Sequence, residues 1–123
     1  MSPFALITGR RVYRVRWGVD HAALVAACRE IVANESVYKT VTSYSMPDRP
    51  RIDVTDKQLP DIVRRLQPTY LFVSGDVVEI EMGGGLGHYG LLVFTQGEAT
   101  NNTARYPHRK MDRLDDGVWY YTL

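Results

Sequence analysis

Gly85-Leu86-Gly87-His88-Tyr89-Gly90, preceded by Gly83 and Gly84, spells G-x-G-x-x-G. In a dinucleotide-binding fold this pattern opens a helix whose N-terminus faces the pyrophosphate. Here Leu91-Leu92-Val93-Phe94 follows, an apolar run of strand length, so the helix is missing. Strands on both sides are how a protein kinase covers its nucleotide phosphates. But 123 residues are too few for a kinase, and the strand after the glycines carries no lysine. The segment reads first as a wide turn or bulge whose glycines allow close backbone approach. Three glycines in a row, Gly83 to Gly85, lose much backbone entropy on ordering. Something must need that bare backbone, and a ligand or a partner is one answer.

His88 is the first choice for a general base, with an Asp or Glu to orient it. The plainer role is a turn histidine bonded to a nearby carbonyl. Glu79 and Glu81 alternate along one strand, so they share a face about 6–7 Å apart. That spacing suits a glycosidase pair or a divalent cation, but an outward acidic stripe on a half-exposed sheet has the same pattern. His108 sits in Tyr106-Pro107-His108-Arg109-Lys110, a loop able to hold phosphate or carboxylate. His21 follows a helix cap and is expected on the surface. Three histidines without H-x-x-x-H or H-E-x-x-H spacing make a weak case for zinc, and no metal site is expected. Cys28, the one cysteine, excludes an internal disulfide. It falls on an apolar helix face, where a packed, unreactive thiol is expected. Asp115 and Asp116 read as turn residues. No cofactor is implied.

Aromatic and basic residues offer binding rather than catalysis. Trp119 and Tyr121 point to one side of a strand and Tyr120 to the other, so one face should show aromatic surface. Residues 1–17 hold Arg14 and Arg16 without any acid, and residues 104–113 hold Arg105 and Arg109. Side by side, these arginines would form a basic patch for single-stranded nucleic acid. The whole chain carries a net charge of only +1, which argues against a dedicated duplex binder.

Those residues need a scaffold. At this length there is room for one domain, 1–123, able to bury about two thirds of its unfolded surface without a staple. Residues 1–9 are set apart: Pro3-Phe4-Ala5-Leu6-Ile7 steps directly to Gly9-Arg10-Arg11. That reads as a first strand, with a flexible segment or the remnant of a membrane anchor as the other readings. The location expected is cytoplasmic, or the soluble part of a membrane-anchored protein.

Residues 11–17 alternate as a half-buried strand. Asp20 caps a helix whose Leu24, Cys28 and Ile31 share a face, ending near Asn34. Residues 37–44 read as a strand, and Met46-Pro47-Asp48-Arg49-Pro50 as a loop. Thr55 and Asp56 are expected to cap a second helix with Leu59, Ile62, Val63 and Leu66 inside, stopped by Pro68. Residues 70–73 and 77–82 flank Ser74-Gly75-Asp76 as a hairpin. Leu91 to Phe94 reads as a strand buried on both faces. Asp116-Gly117 turns a last hairpin.

The order predicts one α+β domain, mainly an antiparallel sheet of about five to seven strands with two helices on one face. The function expected is a non-catalytic binding or regulatory domain acting on a protein partner. Its surface would be a sheet face or the glycine segment, through Gly84, Gly85, Gly87, His88, Tyr89, Trp119 and Tyr121. The alternatives are a small enzyme or ligand-binding protein centred on His88, and a weak single-stranded nucleic-acid binder.

Overall fold

Asp20 starts the first helix. Its backbone is extended (φ −74°, ψ 102°), and its carboxylate accepts from the Ala23 N–H at 3.1 Å. That satisfies one of the donors a first turn leaves without an intrahelical partner. The computed structural model describes residues 18–43, 46–83, 88–96 and 110–122. Helix α1 runs His21–Ala33 and closes where Asn34 donates both its backbone N–H and its Nδ2 to the Glu30 carbonyl, each at 3.0 Å. Leu24, Cys28 and Ile31 are fully buried, as their i, i+4, i+7 spacing requires.

The strands are β1 (Thr40–Ser43), β2 (Met46–Ile52), β3 (Tyr70–Ser74), β4 (Val77–Glu81), β5 (Tyr89–Phe94), β6 (Lys110–Asp115) and β7 (Val118–Thr122). They form one seven-stranded sheet in the order β1-β2-β3-β4-β5-β7-β6, antiparallel throughout. A short helix, α2, spans Asp61–Arg64. The fold is the α+β class expected, and both helices pack on one face of the sheet. Gly75 (φ +62°) and Gly117 (φ +77°) take the left-handed backbone that the β3–β4 and β6–β7 turns need.

Period-two alternation divides the sheet's side chains. Val78, Ile80, Leu91, Val93, Val118 and Tyr120 face the helices and join Leu24, Cys28, Ile31, Val63 and Leu66 in the main core. Val77, Leu92, Phe94 and Tyr121 form a second buried cluster on the opposite face, with Met111 and Trp119 against it. Leu91 to Phe94 is thus buried on both sides, as its unbroken apolar run predicts. Glu79 departs from the expected outward stripe: it lies on the second face and is buried.

Four local readings change. His21 is buried rather than exposed, because the β6–β7 turn crosses the start of α1 and brings Asp115 Oδ2 to 3.3 Å from its Nδ1. Residues 46–50, expected as a loop, belong to β2 (Met46–Ile52). This strand pairs along β1 with a register shift between Val41 and Ser43, but meets β3 only at Ile52↔Leu71. One side of it carries almost no ladder, and proline's missing N–H is tolerated there. The strand expected over 37–44 begins later, at Thr40, after a 3₁₀ turn over Glu35–Val37. The second helix is shorter than expected, although Leu59, Val63 and Leu66 are buried as its pattern requires. Asp56 does not cap it. Its carboxylate accepts from the backbone N–H of Lys39 and of Gln58, each at 2.9 Å, and so ties the entry of β1 to a turn.

The two margins of the sheet differ. The β6 margin shows exposed Lys110, Asp112, Arg113 and Asp115. Val37 and Val41, beside and within the β1 margin, are the exposed large apolar side chains among the described residues, at 55% and 41%.

Two outcomes follow from this packing. A Cβ at Gly90 would collide with the Ile80 carbonyl oxygen and stand 2.9 Å from the Tyr121 hydroxyl. Gly90→Ala should lower unfolding free energy by about 1–3 kcal/mol in urea titrations. The two N–H donors hold the Asp56 carboxyl below its ordinary 3.8. Its contribution is therefore complete above that value and is lost as pH falls through the depressed one. Asp56→Asn should unfold at lower urea than the parent at pH 7, and the gap should narrow below about pH 4.

Candidate functional site

The β4–β5 hairpin ends with two amides on one carbonyl: the Met82 and Gly83 N–H groups donate to the Tyr89 oxygen at 2.9 and 3.3 Å. Tyr89 turns toward the helices and packs on the main core, with its ring 6.2 Å from that of Tyr120. A Cβ on Gly83 would collide with the Tyr89 ring carbons. Two glycines of this stretch are thus explained by contacts inside the molecule. Gly83 lets the Tyr89 ring settle on the chain, and Gly90 lets β4 and Tyr121 approach. Gly84, Gly85 and Gly87 lie outside the described residues.

Alternation sends His88 to the side opposite Tyr89. Glu81 is paired with Gly90 across the strands and projects to that same side. The two side chains meet: His88 Nδ1 hydrogen-bonds Glu81 Oε1. The Glu81 side chain is 12% exposed and that of His88 is 45% exposed, so a nearly buried carboxylate holds a half-exposed ring. A carboxylate can only accept, so Nδ1–H is the donor that this contact selects, and in the ring tautomer that carries its proton there Nε2 is left as an acceptor. This pair can accept a hydrogen bond from a bound group, or take a proton from one.

Tyr121 lies beside this pair, opposite Gly90 on β7, but is 1% exposed. It forms part of the second cluster rather than an aromatic surface. Trp119 stands opposite Leu92, farther along the strand and packed on the same cluster. The expected aromatic face is therefore mostly interior. Arg14, Arg16, Arg105, Arg109 and His108 lie outside the described residues, as do residues 1–9.

On the other side of Glu81, the Tyr70 side chain is its direct partner on β3. The Arg51 guanidinium of β2 lies 4.3 Å from the Tyr70 ring centroid. One end of this face therefore presents a row running Arg51, Tyr70, Glu81, His88, on β2, β3, β4 and the residue just before β5. Residue types in the sequence point to His88 with a carboxylate, Glu79 and Glu81 both being open, but miss Arg51 and Tyr70. The only available signal was the placement of Tyr70 at the start of a strand that pairs with β4.

Among the described residues no three His, Cys, Asp or Glu side chains converge on a metal-sized space, and no helix is long and apolar enough to cross a membrane. Cys28 is fully buried, and burial pushes its thiol up to about 12. Thiolate is the reacting species. The native chain should therefore resist a disulfide reagent at pH 8 and take up one equivalent only on unfolding, which absorbance of the released thiol will read. No family model matches the chain, and no curated protein or solved structure matches it.

Proposed function

We propose that this chain is a non-catalytic binding or regulatory domain that engages a protein partner through the Gly83–Gly90 end of its central hairpin. The observation that carries this reading is the His88–Glu81 pair, a half-exposed imidazole fixed by a nearly buried carboxylate. Fixing the ring in advance lowers the side-chain entropy lost on binding. The burial of Leu92, Phe94 and Tyr121 supports the segment over the sheet face as the contact surface. A single, buried cysteine is in keeping with a cytoplasmic domain, or with the soluble part of a membrane-anchored protein.

The same pair favours a second reading, a small enzyme or ligand-binding protein. A carboxylate on Nδ1 is the arrangement that orients an imidazole for proton transfer through Nε2. The alternatives separate experimentally. The immobilised domain captures partners from cell extract, and each captured protein is then titrated against the parent, His88→Ala and Glu81→Gln. The expected result is at least tenfold weaker binding for His88→Ala with an unchanged melting temperature, about 1.4 kcal/mol or more. Equal binding by parent and variant overturns the placement of the site. A small-molecule turnover that His88→Ala abolishes would replace the binding reading with the enzymatic one.

A further inference from the structure

The two described histidines are held alike and exposed differently. Nδ1 of His21 meets the Asp115 carboxylate, and Nδ1 of His88 meets that of Glu81. The His21 ring is buried, whereas the His88 ring is half-exposed. In the tautomer that Glu81 selects, Nε2 of His88 carries a lone pair and no proton. Among the described residues no hydrogen bond occupies that nitrogen. His88 therefore offers an oriented nitrogen nucleophile at the surface, and His21 does not.

Glu81 does more than orient the ring. A lone pair that attacks an electrophile leaves positive charge on the imidazole, and a carboxylate at Nδ1 stabilises that charge as it forms. Glu81 is well placed for this because it is nearly buried. Tyr70 is its partner on β3, and on β5 its partner is the bare Gly90. The Tyr121 hydroxyl and the Glu81 Cα each lie 2.9 Å from the point where a Gly90 Cβ would stand, so the hydroxyl closes over this spot. A carboxylate so enclosed is screened less by water and acts more strongly on its neighbour.

A lasting change to the ring requires a group that water does not promptly remove. Acyl imidazoles hydrolyse readily, whereas a phosphoryl group on imidazole persists at neutral and alkaline pH. We propose that His88 is a phosphoryl-accepting residue, modified on Nε2 by a donor whose phosphorus is bonded to nitrogen. The Nε2–P bond forms as the donor's P–N bond breaks, and the amine leaves with the electron pair. The Nδ1 proton, held by Glu81 while the ring is charged, ends on the departing amine, and nothing is oxidised or reduced. The product replaces an acceptor with an anionic group, which would reset the partner site. That consequence rests on the partner reading, but the modification itself does not.

The test incubates the folded chain with potassium phosphoramidate at pH 8 and follows the mass of the intact protein. The chain should take up one phosphoryl group, stable in alkali and lost in acid. Phosphorus and ¹⁵N spectra should place it on Nε2 alone, since Glu81 shields Nδ1. Uptake should be about tenfold faster than at any histidine of the chain unfolded in urea. His88→Ala should remove the label, with His88→Gln in its place if Ala alters the fold, and His108→Ala should change nothing. Glu81→Gln keeps the shape but not the charge. It should slow uptake about tenfold at an unchanged melting temperature, and ring ¹⁵N shifts should show the proton shared between the two nitrogens. No uptake, a label on Nδ1, or a rate no greater than in the unfolded chain overturns the proposal. So does Glu81→Gln reacting as fast as the parent, because exposure alone would then account for the label. No partner enters the assay, so its failure leaves the partner site standing, and loss of the partner site leaves the phosphoryl acceptor standing.

Discussion

The pairing of β4 with β5 is the constraint on which the rest depends. Five pairs from Val77↔Phe94 to Glu81↔Gly90 fix which side chains face the helices and which face away. A slip of one residue would send Val78 and Ile80 to the wrong side and leave α1 without its floor. Gly90 guards this register. Its missing side chain is what allows Ile80 and the Tyr121 hydroxyl to stand where they do. The same register puts Glu81 and His88 on one side of the hairpin. The His88–Glu81 pair is thus a consequence of how the core is packed.

Around that hairpin the other elements are tied by polar groups as well as by apolar contact. His21 reaches Asp115, and Arg29 Nε donates to the Thr95 carbonyl at 2.7 Å, so α1 is bonded to strand ends at its first residue and again past its middle. The Gly117 carbonyl accepts from the Phe94 N–H at 2.8 Å, which binds the last turn to β5. Asp56 does the same for β1 through Lys39. These bonds cross long stretches of sequence and fix the angle at which each element meets the sheet. Apolar burial, worth about 1.5–3 kcal/mol for each large side chain, supplies the driving force but little direction.

Local chemistry was legible in the sequence. The Asp20 cap, the Leu24–Cys28–Ile31 face, the Gly75 and Gly117 turns and the two-sided burial of Leu91 to Phe94 all follow from spacing and residue type. What escaped depends on distant partners. Pro47 and Pro50 forbid a fully paired strand, but only the sheet order reveals that one side of β2 is nearly without a ladder. His21 and Glu79 look like surface residues until Asp115 and the second cluster are brought to them. For the site, residue types pointed to His88 with a carboxylate, and register selected Glu81. Arg51 and Tyr70 carry no local signal, since their contact joins two strands separated by α2.

The unequal margins of the sheet bear on how copies of the chain behave when crowded. A free strand edge is a template for another strand, and sheets that grow from both edges become fibres. The β6 margin, with its exposed Lys110, Asp112, Arg113 and Asp115, resists such addition. The β1 margin, with Val41 uncovered, is short and irregular at Val41 to Ser43. Among the described residues β1 and β6 are the outer strands, so the two flanks of the sheet offer an approaching strand opposite receptions, charge on one side and a short, kinked ladder on the other.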